Sequence, residues 1–157
     1  LALTRRNFRT LLSEPVKPVH ATERLVDERR FYALSPASVK CVRELDGWNG
    51  ALAQRAGPFA CMRVWDREPT RELVFEARDI SRAELGWIVD HGALTEALWS
   101  ALGASQIRRA RVQSFVREDD CTTVQIEGED SLSCELLVGA DGAQSPLRQL
   151  AGIDVTA

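Results

Sequence analysis

Residues 136–148, Leu-Leu-Val-Gly-Ala-Asp-Gly-Ala-Gln-Ser-Pro-Leu-Arg, are the segment that most restricts how this chain can fold. The apolar run 136–138 is typical of a strand that enters a covered sheet. A glycine-rich turn with a single carboxylate, Asp141, comes next. Ser145-Pro146 then places a helix-capping residue directly before a proline at the first helical position. The segment therefore predicts a buried strand, a tight turn and a helix start.

Such a turn is suited to binding a ligand. The start of a helix presents N–H groups and a positive dipole end to an anion such as phosphate. Gly139 and Gly142 allow a ligand to approach the backbone closely, and the Asp141 carboxylate can accept hydrogen bonds from sugar-alcohol hydroxyls. The alternative is a simple hairpin turn at Asp141-Gly142. A hairpin needs a second alternating strand, whereas residues 145–150 favour a helix, yet the pattern alone leaves both interpretations open.

The rest of the chain predicts a mixed α/β protein. A helix is expected to end near Asn7, and a short buried strand over 8–13 should end at Glu14. Further helices are expected over 35–45, 48–55, 93–102 and 145–151. Residues 59–66 and 72–77 predict an antiparallel pair, and residues 110–116, 122–126 and 132–138 predict a three-stranded antiparallel meander.

Composition and charge exclude several functional classes. The chain has 157 residues, 45% of them apolar and 27% charged, which is an ordinary globular composition. A formal charge of −3, from 20 basic and 23 acidic residues, removes the electrostatic case for binding nucleic acid. No run approaches the roughly 20 apolar residues that span a bilayer. We therefore expect neither a nucleic-acid partner nor a transmembrane segment.

The cysteines and histidines predict no metal site. The four cysteines are scattered without a Cys-x-x-Cys pair, and His20 and His91 are far apart in the sequence. A structural zinc site needs clustered ligands. Dispersed cysteines in a chain of this size indicate reduced thiols and hence a cytoplasmic location.

Four stretches of the sequence resemble one family. Residues 136–148 resemble the "GADG…S…R" signature of FAD-dependent aromatic hydroxylases, the group A flavoprotein monooxygenases. Residues 27–35, 62–66 (Met-Arg-Val-Trp-Asp) and 85–91 are similar to segments of the subgroup that hydroxylates the ring in ubiquinone biosynthesis. The stretches follow each other in the family's order along the whole chain.

The resemblance implies a partial FAD-binding, Rossmann-like domain of the glutathione-reductase type, with the meander and the first strands of a substrate-domain sheet. Residues 1–57 and 90–157 would form the FAD-binding domain, and residues 58–89 would begin the substrate-binding sheet. The ten glycines contain no Gly-x-Gly-x-x-Gly fingerprint. The resemblance therefore implies an internal section of a longer enzyme that is inactive on its own.

The resemblance also assigns cofactor-binding roles within the predicted turn and strands. Asp141 would bind the ribityl chain of FAD, with Gly142 beside the pyrophosphate and Arg148 as the basic end of the motif. Glu14 would accept hydrogen bonds from the adenosine ribose. The alternatives are an exposed loop carboxylate for Glu14 and a surface helix arginine for Arg148.

Three further assignments are less direct. Arg30 would lie near the flavin or pyrophosphate, where a guanidinium suits phosphate oxygens, with Arg29 as the competing register. Asp90 stands where the subgroup usually has glutamate, so its contact with FAD would be made by a shorter side chain. Val112 would offer backbone groups to the adenine, or serve only as a core residue.

The implied activity is the insertion of one oxygen atom of O₂ into an electron-rich ring, here a polyprenyl phenol, with NAD(P)H or another donor reducing FAD. No catalytic residue can be assigned from the sequence, and no metal site is expected. The redox chemistry would be that of the cofactor. Expected partners are an aromatic or quinone-precursor substrate, other ubiquinone-biosynthesis proteins, and a membrane surface contacted peripherally. The alternatives are a flavin hydroxylase of a soluble phenol or secondary metabolite, and a non-catalytic truncated remnant.

Overall fold

The computed structural model describes residues 1–16, 30–66, 72–103 and 106–155. The helices are α1 (Ala2–Arg5), α2 (Pro36–Glu44), α3 (Gly50–Arg55), α4 (His91–Ser100) and α5 (Pro146–Leu150). The strands are β1 (Leu12–Ser13), β2 (Phe31–Leu34), β3 (Gly57–Phe59), β4 (Cys61–Trp65), β5 (Glu72–Glu76), β6 (Gly86–Asp90), β7 (Ile107–Arg108), β8 (Val112–Arg117), β9 (Thr122–Ile126) and β10 (Leu132–Cys134). A short 3₁₀ helix, Ala77–Ile80, follows β5.

The chain forms two compact units. The first comprises residues 1–10 and 18–104, and the second comprises residues 11–17 and 105–157. The division of the chain into an FAD-binding domain and a substrate sheet stays a prediction.

An antiparallel sheet with strand order β2-β6-β3 organises the first unit. Helices α2, α3 and α4 pack against it. Its buried core contains Leu52, Val89, Ala93 and Ala97. These residues come from α3, β6 and α4, so the core holds the end of β6 against the start of α4. The predicted cap of α2 is confirmed, because the Ser35 hydroxyl accepts a hydrogen bond from the Ser38 N–H.

The predicted antiparallel pair is confirmed as β4 and β5, in which Arg63 lies opposite Val74. The structure starts β4 later than expected, because Phe59 belongs to β3 and pairs with Gly86 of β6. All of β4 is exposed.

The second unit contains the predicted meander, with strand order β10-β9-β8. In β9, Thr122, Val124 and Ile126 are buried. This period-2 alternation is expected of a strand with one face on the core. A parallel pair, with Leu12 of β1 opposite Ile107 of β7, completes the unit's strands.

Two predictions of buried strands were wrong. The strand expected over 132–138 ends at Cys134, its last partner in β9 being Thr122, and Leu136 and Val138 are 70% and 62% exposed. Similarly, the strand expected over 8–13 has only two residues, and Phe8 is 57% exposed. The physical reason is the same at both places. An apolar run becomes a buried strand only where a neighbouring strand pairs with it, and among the described residues no strand pairs with residues 8–11 or 136–138.

Candidate functional site

The turn between Gly139 and α5 is held by its own side chains. One carboxylate oxygen of Asp141 accepts a hydrogen bond from the Ser145 hydroxyl, and the other accepts one from the Leu147 N–H at 2.9 Å. The Ser145 hydroxyl in turn accepts the Arg148 N–H at 2.9 Å. The predicted helix start is thereby confirmed. Asp141 is nevertheless exposed at the surface, so a fixed carboxylate faces solvent.

These hydrogen bonds also set the charge of the turn. The pKa of Asp141 lies below its ordinary value, first because of the Ser145 hydroxyl and then because of the Leu147 N–H. A weaker effect of burial opposes them, and the positive charge of Arg148 adds to the lowering of this pKa. Asp141 is therefore ionised at neutral pH and acts only as a hydrogen-bond acceptor.

Gly142 leaves one side of the turn open. Its φ of +86° is in the region that favours glycine, and no atom lies within 4 Å of the position that a β-carbon would occupy. Beside it, a β-carbon at Gly139 would lie 3.2 Å from Leu147 Cδ2. Gly139 thus permits the packing of the turn on α5, while Gly142 permits close approach from outside.

Arg148 binds the turn from inside rather than lying free on a helix surface. Its Nη1 donates to the Ala143 carbonyl at 2.8 Å. Its Nε is buried and has no hydrogen-bond partner among the residues that the structure describes. Ser145, which the sequence predicted only as a helix cap, also organises this turn, because its hydroxyl connects Asp141 to α5. Its position four residues after the aspartate and three before the arginine was the signal that could have identified it.

Glu14 and Val112 lie in the same unit as this turn. The Glu14 N–H donates to the Arg108 carbonyl at 2.9 Å and so continues the pairing of β1 with β7. Its half-buried side chain accepts the Val16 N–H at 3.1 Å. Val112 is half-buried at the start of β8 and pairs with Ile126. Helix α5 packs against β8.

Arg30 and Asp90 belong to the first unit. Asp90 is 5% exposed and caps α4, since its Oδ1 accepts the Ala93 N–H at 2.8 Å. Arg55 Nη2 lies 3.8 Å from the same oxygen. Arg30 is exposed at the start of β2, next to Phe31, which pairs with Asp90. The competing residue Arg29 lies outside the described residues.

The structure brings Arg148 of α5 against the turn that contains Asp141 and Gly142, and it places Arg30 and Asp90 at one end of the β2-β6-β3 sheet. Within the described ranges, no group of three or more His, Cys, Asp or Glu residues is arranged to hold a metal ion. In the same part of the chain, no helix is both long and apolar enough to cross a membrane.

The chain is similar to known proteins. Residues 93–157 match the FAD binding domain family. The chain is 32% identical to 3-demethoxyubiquinol 3-hydroxylase of Escherichia coli, over 100% of this chain and 41% of that protein. It is 25% identical to the mitochondrial ubiquinone biosynthesis monooxygenase COQ6 of Drosophila melanogaster, over 82% of this chain and 28% of the relative.

The fold likeness extends to solved structures. The structure of Klebsiella pneumoniae HpxO complexed with FAD and uric acid matches with a TM-score of 0.59 at 24% identity, covering 87% of this chain and 33% of that one. The predicted fold class, a mixed α/β chain of the FAD-binding, Rossmann-like type, is confirmed. The chain spans about two fifths of its Escherichia coli relative. It is homologous to this hydroxylase and this monooxygenase of ubiquinone biosynthesis, and its residues 93–157 match the FAD binding domain family.

Proposed function

We propose that the protein carrying this chain is an FAD-dependent monooxygenase that hydroxylates the aromatic ring of a polyprenyl phenol in ubiquinone biosynthesis. The observation that carries the proposal is the turn at Asp141 and Gly142. It presents an ionised, rigidly held carboxylate beside an open glycine, within the residues that match the FAD binding domain. The names of the two relatives supply the substrate class.

The residues of the turn fit FAD. Each oxygen of Asp141 accepts one hydrogen bond within the turn, and a carboxylate has about four lone-pair sites. Acceptor capacity thus remains for the hydroxyls of the ribityl chain. At Gly142 the open space lets a pyrophosphate approach the backbone. Arg148 holds this turn in shape through the Ala143 carbonyl.

The other predicted residues keep their proposed cofactor roles, each within its own unit. Glu14 would accept the adenosine ribose hydroxyls, Val112 would offer backbone groups to the adenine, and Arg30 would face phosphate oxygens. Asp90 would act through the start of α4, which it caps. FAD supplies the redox chemistry when bound, while these residues bind and orient it.

The proposal extends to the whole protein. Residues 1–57 and 90–157 would serve the cofactor and residues 58–89 the substrate sheet, with NAD(P)H as the electron donor. The protein would be cytoplasmic. Because a polyprenyl substrate is lipid-like, the protein would reach it by contacting a membrane surface or other ubiquinone-biosynthesis proteins.

The cofactor half of the proposal is tested at Asp141. In the protein that carries this chain, Asp141→Asn should weaken FAD binding about tenfold or more, because hydrogen bonds to a charged acceptor are roughly twice as strong as neutral ones. Asp119→Asn, at an exposed position after β8, is the matched control. Dissociation constants come from titrating FAD into the stripped protein. Equal affinities for wild type and Asp141→Asn would contradict the assignment.

The reaction half needs a substrate comparison. With NADH or NADPH and isotopically labelled O₂, the protein should incorporate one labelled oxygen into a polyprenyl phenol at a higher kcat/KM than into the same phenol without its tail. Preference for the tail-free phenol would overturn the proposed substrate class. Absence of labelled product from both phenols, in a protein with bound flavin, would overturn the proposed reaction.

A further inference from the structure

Tyr32 of β2 and His91, the first residue of α4, meet at one end of the β2-β6-β3 sheet. Tyr32 Oη lies 2.9 Å from His91 Nδ1. The two rings meet edge to face, with centroids 5.4 Å apart and planes at 82°. Tyr32 pairs with Val89, which makes His91 its diagonal cross-strand neighbour, a position that a long aromatic side chain reaches. We call this pair of contacts the Tyr32–His91 clasp.

The main chain of His91 is connected to Arg30. The His91 N–H donates to the Arg30 carbonyl at 2.8 Å, one residue beyond the Phe31–Asp90 pair. The His91 carbonyl accepts the Thr95 hydroxyl at 2.8 Å. His91 is thus fixed to α4 on one side and to the start of β2 on the other. These hydrogen bonds therefore fix the main chain at Arg30, directly before β2 begins.

The clasp restrains the orientation of its two side chains and adds little to the buried core. Tyr32 remains 40% exposed, and the core of this unit is formed by other residues, Leu52, Val89, Ala93 and Ala97. A hydrogen bond and an edge-to-face contact at the surface bury little apolar area. They do restrain the Tyr32 and His91 rings next to the hydrogen bond between the His91 N–H and the Arg30 carbonyl.

We infer that the Tyr32–His91 clasp positions Arg30, so that its guanidinium is held ready for the phosphate oxygens of the cofactor. Tyr32 and His91 are then positioning residues that act through Arg30 and do not themselves touch the cofactor. The inference rests on the proposed function, since it needs Arg30 to bind FAD.

The test is a set of FAD titrations on the stripped protein that carries this chain. Tyr32→Phe keeps the ring and loses the hydroxyl, and it should weaken FAD binding about threefold to tenfold, the range of one neutral hydrogen bond. His91→Asn should weaken it similarly. In an Arg30→Ala background, which itself weakens binding, Tyr32→Phe should have no further effect. Ser38→Ala, which removes another exposed hydroxyl contact of this unit, should leave the affinity unchanged.

The outcomes separate the inference from the proposal on which it rests. Unchanged affinity in both Tyr32→Phe and His91→Asn would overturn the inference. An equal loss from Tyr32→Phe with and without Arg30 would also overturn it, because a merely structural effect does not depend on Arg30. If Arg30→Ala binds FAD as wild type does, Arg30 has no cofactor role and the inference falls, while the Asp141 result stands. If wild type binds no FAD, the proposed function fails by itself.

Discussion

Gly86→Ala is the substitution whose cost the structure defines most closely. Gly86 is buried at the start of β6, between β2 and β3. A β-carbon there would lie 2.3 Å from the Leu34 carbonyl oxygen and 3.0 and 3.1 Å from two Phe59 ring atoms. The oxygen belongs to the backbone of β2, which cannot withdraw without disturbing its pairing with β6. Overpacking costs about 1–3 kcal/mol, and a backbone clash places this substitution at the upper end.

Urea denaturation followed by circular dichroism measures the effect, and Gly50→Ala is the control. No atom lies within 4 Å of the β-carbon position at Gly50, the first residue of α3. Because alanine favours a helix by up to about 1 kcal/mol over glycine, the control should be neutral or stabilising. A Gly86→Ala variant whose midpoint matches wild type would refute the reasoning, since β2 and β6 would then separate at no cost.

Three further predictions concern the turn and the core. Ser145→Ala should cost about 1 kcal/mol of stability through loss of a helix cap, which urea denaturation measures. It should also raise the pKa of Asp141, because the Ser145 hydroxyl is the largest influence that lowers this pKa. A carboxyl NMR titration measures the pKa, and an unchanged value would contradict this second prediction. Because the pKa of Asp141 is lowered in the folded state, its stabilising effect is present above the ordinary aspartate pKa of about 3.9 and is lost as the pH falls through the folded value. Asp141→Asn should therefore reduce stability at neutral pH and make it less dependent on pH below about 4, whereas parallel stability curves for the two proteins would refute this. Leu52→Ala removes a core side chain that is 1% exposed and should cost about 2–5 kcal/mol in the same denaturation assay; a smaller loss than that from Leu73→Ala, at an exposed position, would contradict the assigned core.

Local sequence signals were sufficient for most elements. Ser35-Pro36 and Ser145-Pro146 each begin a helix, because both the cap and the proline act within one turn. The β4–β5 pair and the meander follow from alternation and short polar turns, which are local too. The strands expected over 8–13 and 132–138 were not predicted correctly, since an apolar run says nothing about whether another strand lies beside it.

The candidate site, too, was predictable from the sequence only in part. Asp141 and Gly142 are predicted as site residues from the turn pattern together with the family resemblance, and these roles stay predictions. The contacts of Ser145 and Arg148 are seen only in the tertiary structure. The Ser145 hydroxyl bonds Asp141 and caps α5, and the Arg148 guanidinium donates to the Ala143 carbonyl. For Asp90 the resemblance implies a contact with FAD, and the structure adds that its carboxylate is buried and caps α4.

By itself, the sequence determined the turn and helix start around Asp141, the other helix starts and the family resemblance, since each depends on residues that are neighbours along the chain. Only the tertiary structure decided that Gly86 must be glycine, that Tyr32 meets His91 and that the His91 N–H holds the Arg30 carbonyl. These contacts join residues that are far apart in sequence. Their partners are set by strand pairing and helix packing, which no local pattern encodes.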